Sequence, residues 1–180
     1  MALTGCASGA NVAPGAGGEE GTAPVHPGAS SPGAAGDAAA LAQAQAWLDA
    51  ANLPPGAVRT DTSPGTFTSY TGWPCGPYEE LEGYWVIPDT TVVDAANWLI
   101  ENPTADLVTT NFGPATEDWG PVDSAIVGYI PAPGAQEGVV YTLAKKEGDV
   151  AIRAEVAAQT DMATCPPLPD GSEYGAPGQG

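Results

Sequence analysis

The chain has 180 residues and a formal charge of −18 at pH 7, from 22 acidic side chains against only Arg59, Lys145, Lys146 and Arg153. Nucleic acids and anionic membrane surfaces are bound through Lys and Arg, so nucleic-acid binding is excluded, and the charge suits a soluble monomer. Hydrophobic residues make up 43%, enough for one core, while 24 Gly and 19 Pro leave part of the chain expected to be unfolded, and no apolar run reaches the length of a membrane span.

At the start of the chain, Leu3-Thr4-Gly5-Cys6 resembles the lipobox of secreted bacterial lipoproteins. The resemblance implies that the Cys6 thiol is lipidated, that residues 1–6 are the end of a signal peptide cut before Cys6, and that the protein is held at the outer face of the cytoplasmic membrane. A secretory signal carries a basic region and then about 7–15 apolar residues, and only five residues precede Cys6. The start is therefore expected upstream, or the chain is truncated.

Of the thirty residues 7–36, 23 are Gly, Ala, Pro or Ser. With no apolar periodicity they are expected to form a disordered tether. His26, the sole histidine, falls in it. Asp37 is a plausible cap for a helix to about Asn52, with Leu41, Ala44, Leu48 and Ala51 on one face beside Trp47 and Leu53-Pro54-Pro55-Gly56 as its stop. Residues 57–80 are rich in turns and aromatics, Glu82–Ile87 reads as a strand, and Thr90–Glu101 reads as a second helix capped by Asp89 or Thr90. Leu107–Phe112 is a further strand.

Ala125–Ile130, Gly138–Ala144 and Val150–Ala158 are strand-like runs with short Gly-containing connections. Val139, Tyr141 and Leu143 alternate, as do Val150, Ile152, Ala154 and Val156, and a turn over 145–149 puts both stripes on one face. Thr142, Arg153 and Glu155 fall on the other face, expected in water. Residues 166–180 read as a flexible tail. The expected fold is a single α+β domain over 37–165: an antiparallel sheet with a C-terminal meander and two helices packed on one face. Leu53-Pro54-Pro55-Gly56-Ala57, Tyr84-Trp85-Val86-Ile87-Pro88, Trp98-Leu99 through Asn102-Pro103, and Ile152-Arg153-Ala154-Glu155 are similar to stretches of secreted proteins and lipoproteins of high-GC Gram-positive bacteria. That resemblance implies no particular activity. If Cys6 carries lipid, Cys75 and Cys165 remain as the one internal pair, and an oxidising compartment would make them a disulfide.

With no histidine beyond the tether, Ser-His-Asp and Cys-His catalysis and most zinc sites are excluded. No phosphate-binding Gly loop or calcium loop occurs, so neither a cofactor nor a metal is expected. Two constellations remain. Glu79, Glu80 and Glu82 stand beside Tyr70, Trp73, Tyr78, Tyr84 and Trp85. Paired carboxylates with aromatic platforms suit glycan hydrolysis, and the aromatics alone suit glycan binding; otherwise the rings are core around the disulfide and the acids a solvated loop. Arg153, with Glu155, Thr142 and Val140, is either part of a partner-binding surface or, if another element covers that face, a structural ion-pair residue. The function expected is a lipid-anchored, non-catalytic binding or cell-envelope accessory module. Its partners would be the membrane through the anchor and a cell-wall polymer or protein. The alternatives are a small carboxylate-dependent hydrolase of a cell-wall glycan, or a protein-interaction or inhibitor module with an exposed apolar patch.

Overall fold

The computed structural model describes residues 32–118 and 120–179. Leu3-Thr4-Gly5-Cys6, His26 and the tether as far as residue 31 lie outside the described residues. Eight elements follow in order: α1 (Pro32–Asp49), β1 (Val58–Thr60), β2 (Gly76–Ile87), α2 (Val92–Glu101), β3 (Val108–Thr109), β4 (Ser124–Ile130), β5 (Gly138–Lys146) and β6 (Asp149–Thr164). The fold is α+β. The strands form one antiparallel sheet in the order β1-β2-β6-β5-β4-β3, so the two longest strands, β2 and β6, run side by side near its middle.

Period-two alternation decides what each face of the sheet carries. Trp85 and Ile87 of β2, Val127 and Tyr129 of β4, Val139, Tyr141 and Leu143 of β5, and Val150, Ile152, Ala154 and Val156 of β6 point to one side and are buried. Both helices cover this inner face, α1 over β2 and β6, α2 over β4 and β5. β2 carries Gly83 in this stripe because the Trp85 ring and Leu48 of α1 close over it. A Cβ at that position would come within 2.8 Å of the Leu48 side chain and would have to displace it.

The helices differ in detail from their expected form. α1 begins at Pro32 rather than at Asp37; proline is tolerated in the first turn, where its missing N–H would be unpaired anyway. Its buried face is Ala40, Ala44, Trp47 and Leu48, and Leu41 is exposed. The small alanines let the helix sit close to the sheet, and Trp47 and Leu48 supply the bulk. α2 is capped by Thr91, not by Asp89 or Thr90: its hydroxyl accepts from Asp94 N at 3.1 Å and donates to the Asp94 carboxylate at 2.7 Å. The β5–β6 hairpin closes through Glu147-Gly148, both with positive φ (48° and 105°), the turn whose twist matches paired strands. No helix of the described residues is long and apolar enough to cross a membrane.

Two buried phenols tie the end of α2 to the sheet. Tyr129 donates to Leu99 O at 2.5 Å, Tyr141 shares a 2.8 Å hydrogen bond with Thr104, and the two rings pack edge to face with centroids 5.8 Å apart. Burial pushes Tyr141 up from 10.0 to about 12, against a small opposing effect of the Thr104 bond, and pushes Tyr129 up further with Tyr141 as the second cause. A phenol whose pKa is raised by folding contributes stability that is whole below its unfolded value and is lost as pH rises through the folded value. The two phenols should therefore contribute their full stabilisation up to about pH 10 and lose it progressively as the pH rises to about 12 and beyond. Ultraviolet titration of the phenolate band should show these two tyrosines ionising only as the far-ultraviolet circular dichroism collapses. Ionisation of every tyrosine at ordinary values in a folded protein would contradict this account.

Candidate functional site

The outer face of the sheet is where the structure departs most from the expected one. Thr142, Arg153 and Glu155, expected in water, are 4%, 2% and 2% exposed. Two irregular segments cover them. One is the 61–75 loop between β1 and β2, which lays Gly65 against Ala151, Phe67 and Tyr70 against Arg153, and Trp73 against Val140 and Ala157. The other is the chain after β6. Instead of a free tail, residues 174–179 return over β4 and β5: Pro177 O accepts from Thr110 Oγ1 at 3.2 Å, Gly175 O accepts from Gln136 Nε2 at 3.3 Å, and Gln179 donates to Thr110 O. Gly128 and Gly178 make this approach possible, because a Cβ on Gly178 would lie 3.2 Å from the Gly128 backbone. The Cys75–Cys165 disulfide joins the end of the loop to the chain just beyond β6. Closing a loop of 90 residues stabilises the fold by about 4–5 kcal/mol in the chain-entropy model.

Beneath the loop lies a buried ion pair. Arg153 and Glu155 are two residues apart on β6, hence on the same face, and Arg153 Nη2 meets Glu155 Oε2 at 2.7 Å. Both groups also grip the loop backbone. Arg153 donates to Ser69 O, while Glu155 accepts from Thr71 N at 3.2 Å and from Thr71 Oγ1 at 3.0 Å. Between those two anchored residues stands Tyr70, its ring 4.3 Å from the guanidinium carbon, with Phe67 at 5.1 Å. Tyr70 is nevertheless 74% exposed. The result is an exposed aromatic residue whose two chain neighbours are bonded to charges buried below it. Arg153 Nε has no hydrogen-bond partner among the described residues, so the guanidinium is not fully satisfied by the fold.

A cleft of about 430 Å³ opens between the two covering segments. Ile126 and Thr142 form its floor, Tyr70 and Trp73 stand in the loop wall, and Tyr174 and Gln179 stand in the C-terminal wall, with Gln136 at its rim. None of its lining residues carries a charge, in a chain of net charge −18. A second concavity, of about 330 Å³, lies beside Phe67 on the other flank of Tyr70 and includes Glu82, Tyr84 and Arg153.

The candidate residues therefore separate. Tyr70 and Trp73 both line the cleft, but Trp73 is 8% exposed and packs as core on Val140 and Ala157, which leaves Tyr70 as the exposed ring. Tyr78 is exposed outside it. Trp85 points to the inner face, is 6% exposed and stacks with Arg59 at 5.6 Å; it is a core residue rather than a ligand platform. Arg153 is the structural ion-pair residue of a covered face. Glu79, Glu80 and Glu82 belong to β2, which begins at Gly76 rather than near Glu82, so strand alternation sends Glu79 to the inner side and Glu80 and Glu82 to the outer. Glu80 accepts from Trp73 Nε1 at 3.0 Å and Glu82 accepts from the Tyr84 hydroxyl. That bond, with burial as the second cause, raises Tyr84 to about 12. The three carboxylates do not converge on one cavity. No group of three metal-ligating side chains occurs among the described residues.

Glu155, Thr71, Gln136, Tyr174 and Gln179 complete the site, and only Glu155 carried a signal in the sequence, as the same-face neighbour of Arg153. Comparison with protein-family models, with curated proteins and with solved structures finds no match to this chain.

Removing one member of a buried pair strands the other. Arg153→Met and Glu155→Leu should each cost about 3–5 kcal/mol in urea denaturation. The double variant should cost at least about 1 kcal/mol less than the sum of the two. Strict additivity would show that the two charges do not act as a unit.

Proposed function

We propose that this protein is a non-catalytic binding module of the cell envelope, lipidated at Cys6 and held at the outer face of the cytoplasmic membrane, whose ligand docks in the cleft between the 69–74 loop and residues 174–179. The observation that carries the reading is Tyr70. A tyrosine that is 74% exposed gains little for the core, yet its chain neighbours Ser69 and Thr71 are both fastened to a buried ion pair. Pre-organising an exposed aromatic lowers the entropy lost when something binds to it. The anchor rests on the Leu3-Thr4-Gly5-Cys6 motif and on the cysteine arithmetic, in which setting Cys6 aside leaves the pair that the fold joins. A disulfide also suits an oxidising compartment.

Two measurements test the two halves of this proposal. Mass spectrometry of the protein from its native membrane fraction should find residues 1–5 absent and Cys6 acylated. An intact Met1 with a free Cys6 thiol would overturn the anchor. Hydrogen exchange with a solubilised cell-envelope extract should slow amides of residues 69–74 and 174–179 more than those of the β3 region around Phe112, which is 98% exposed and outside the cleft. Unchanged exchange at the cleft would remove the binding reading.

A further inference from the structure

We infer that the cleft takes a neutral carbohydrate chain, with a sugar ring lying on the Tyr70 platform; this rests on the binding reading above and narrows its ligand class. Charge excludes in both directions. A polyanion would meet the field of a protein carrying −18, with no cation among the lining residues to receive it. A cationic ligand would find no carboxylate in the lining either, because the nearby acids are engaged: Glu155 with Arg153 and Thr71, Glu80 with the Trp73 indole. A wholly apolar ligand would cover the Thr142 hydroxyl on the floor and the side-chain amide oxygens of Gln136 and Gln179, whose NH2 groups already donate to Gly175 O and Thr110 O, leaving polar atoms unpaired.

The aromatic wall would also suit a proline-rich peptide, and the polar groups separate the two. Hydroxyls and carboxamides both donate and accept. Sugar hydroxyls do the same, so they can answer the Thr142 and Ser69 hydroxyls in either sense and can donate to the Gln136 amide oxygen and the Thr71 hydroxyl, whose own donors are taken by Gly175 O and Glu155. A polyproline segment offers carbonyl acceptors and no backbone donors, so the acceptor half of this lining would stay unmatched. The platform itself fits a sugar. The Tyr70 ring packs on the Arg153 guanidinium at 4.3 Å, and Tyr70 as a whole is 74% exposed and lines the cleft. The cleft is open rather than enclosed by a lid, with the loop on one bank and residues 174–179 on the other, which suits a chain passing through rather than a small molecule sealed inside.

The test is calorimetric titration of the full chain with neutral oligosaccharides (cellohexaose, chitohexaose, maltohexaose), with polygalacturonate and with a polyproline peptide. At least one neutral oligosaccharide should bind. Tyr70→Ala should weaken that binding about tenfold or more, the loss expected of one aromatic platform. Tyr70→Phe should keep it within about twofold, since the ring is what matters. Phe112→Ala, an exposed aromatic away from the cleft, should leave binding unchanged. Circular dichroism melts that match the parent protein show that each variant is folded. Binding of the peptide or the polyanion alone, binding of no oligosaccharide, or oligosaccharide binding that survives Tyr70→Ala overturns the inference. Hydrogen exchange then distinguishes this failure from that of the wider reading. Protection of the cleft by an envelope extract that persists after periodate destruction of its sugars removes the glycan and leaves the binding module. Absence of any protection removes both.

Discussion

The constraint on which the rest depends is the ion pair between Arg153 and Glu155, buried on the outer face of β6. Two charges taken out of water are costly, and their mutual attraction offsets that cost only when the remaining polar positions are filled. Here they are filled largely by backbone from the 61–75 loop: Ser69 O takes a guanidinium proton, and Thr71 supplies two donors to the carboxylate. Loop and pair are thus conditions for each other. Without the loop the charges would sit on an open sheet, and without the charges the loop would lose its anchors on both sides of Tyr70. A sheet with helices on one face and water on the other becomes, through this pair, a sheet covered on both faces.

The inner half of this architecture was plain in the sequence. Alternating Val139, Tyr141 and Leu143 against Val150, Ile152, Ala154 and Val156 can form only one kind of surface, and a Val/Ala/Leu helix ending at Asn102-Pro103 supplies its cover. The outer half was hidden for a physical reason. An alternating stripe of Thr, Arg and Glu is what a solvated face looks like, and an irregular covering segment has no period to betray it. Phe67, Tyr70 and Trp73 reach the sheet by turns, not by a repeat, and what they cover is set by tertiary contacts. The same limit explains α1. An apolar stripe through Leu41 and one through Ala40 both exist on that helix, and only the close packing of Ala40 and Ala44 decides between them.

The candidate site divides along the same line. Tyr70 and Trp73 were visible as part of an aromatic cluster, because Phe67, Tyr70, Trp73 and Tyr78 crowd around Cys75 in the sequence. Tyr174 and Gln179 were not, since they lie about a hundred residues further on in a segment that reads as a tail. The glutamates were misleading in a specific way. Glu79, Glu80 and Glu82 look like a cluster only while that stretch is taken as a loop. Gly76-Pro77 has the composition of a turn, and it stands instead at the start of a strand beside a register shift. Once β2 extends back to Gly76, alternation sets Glu79 apart from the other two.

This division assigns different work to the two faces. The inner face is apolar and closed by two helices, and it supplies the burial that drives folding. The outer face buries less hydrocarbon but holds its groups by directed bonds: an ion pair, a disulfide and backbone contacts at Gly128 and Gly178. An apolar replacement for the pair could fill the same volume, since buried ion pairs are often no more stabilising than hydrocarbon of similar shape. It could not hold Ser69 O and Thr71 N at fixed points, nor set the Tyr70 ring over a cation. What the charges add is therefore direction more than stability. A ligand-binding role for Tyr70, as proposed, would draw on that direction rather than on stability.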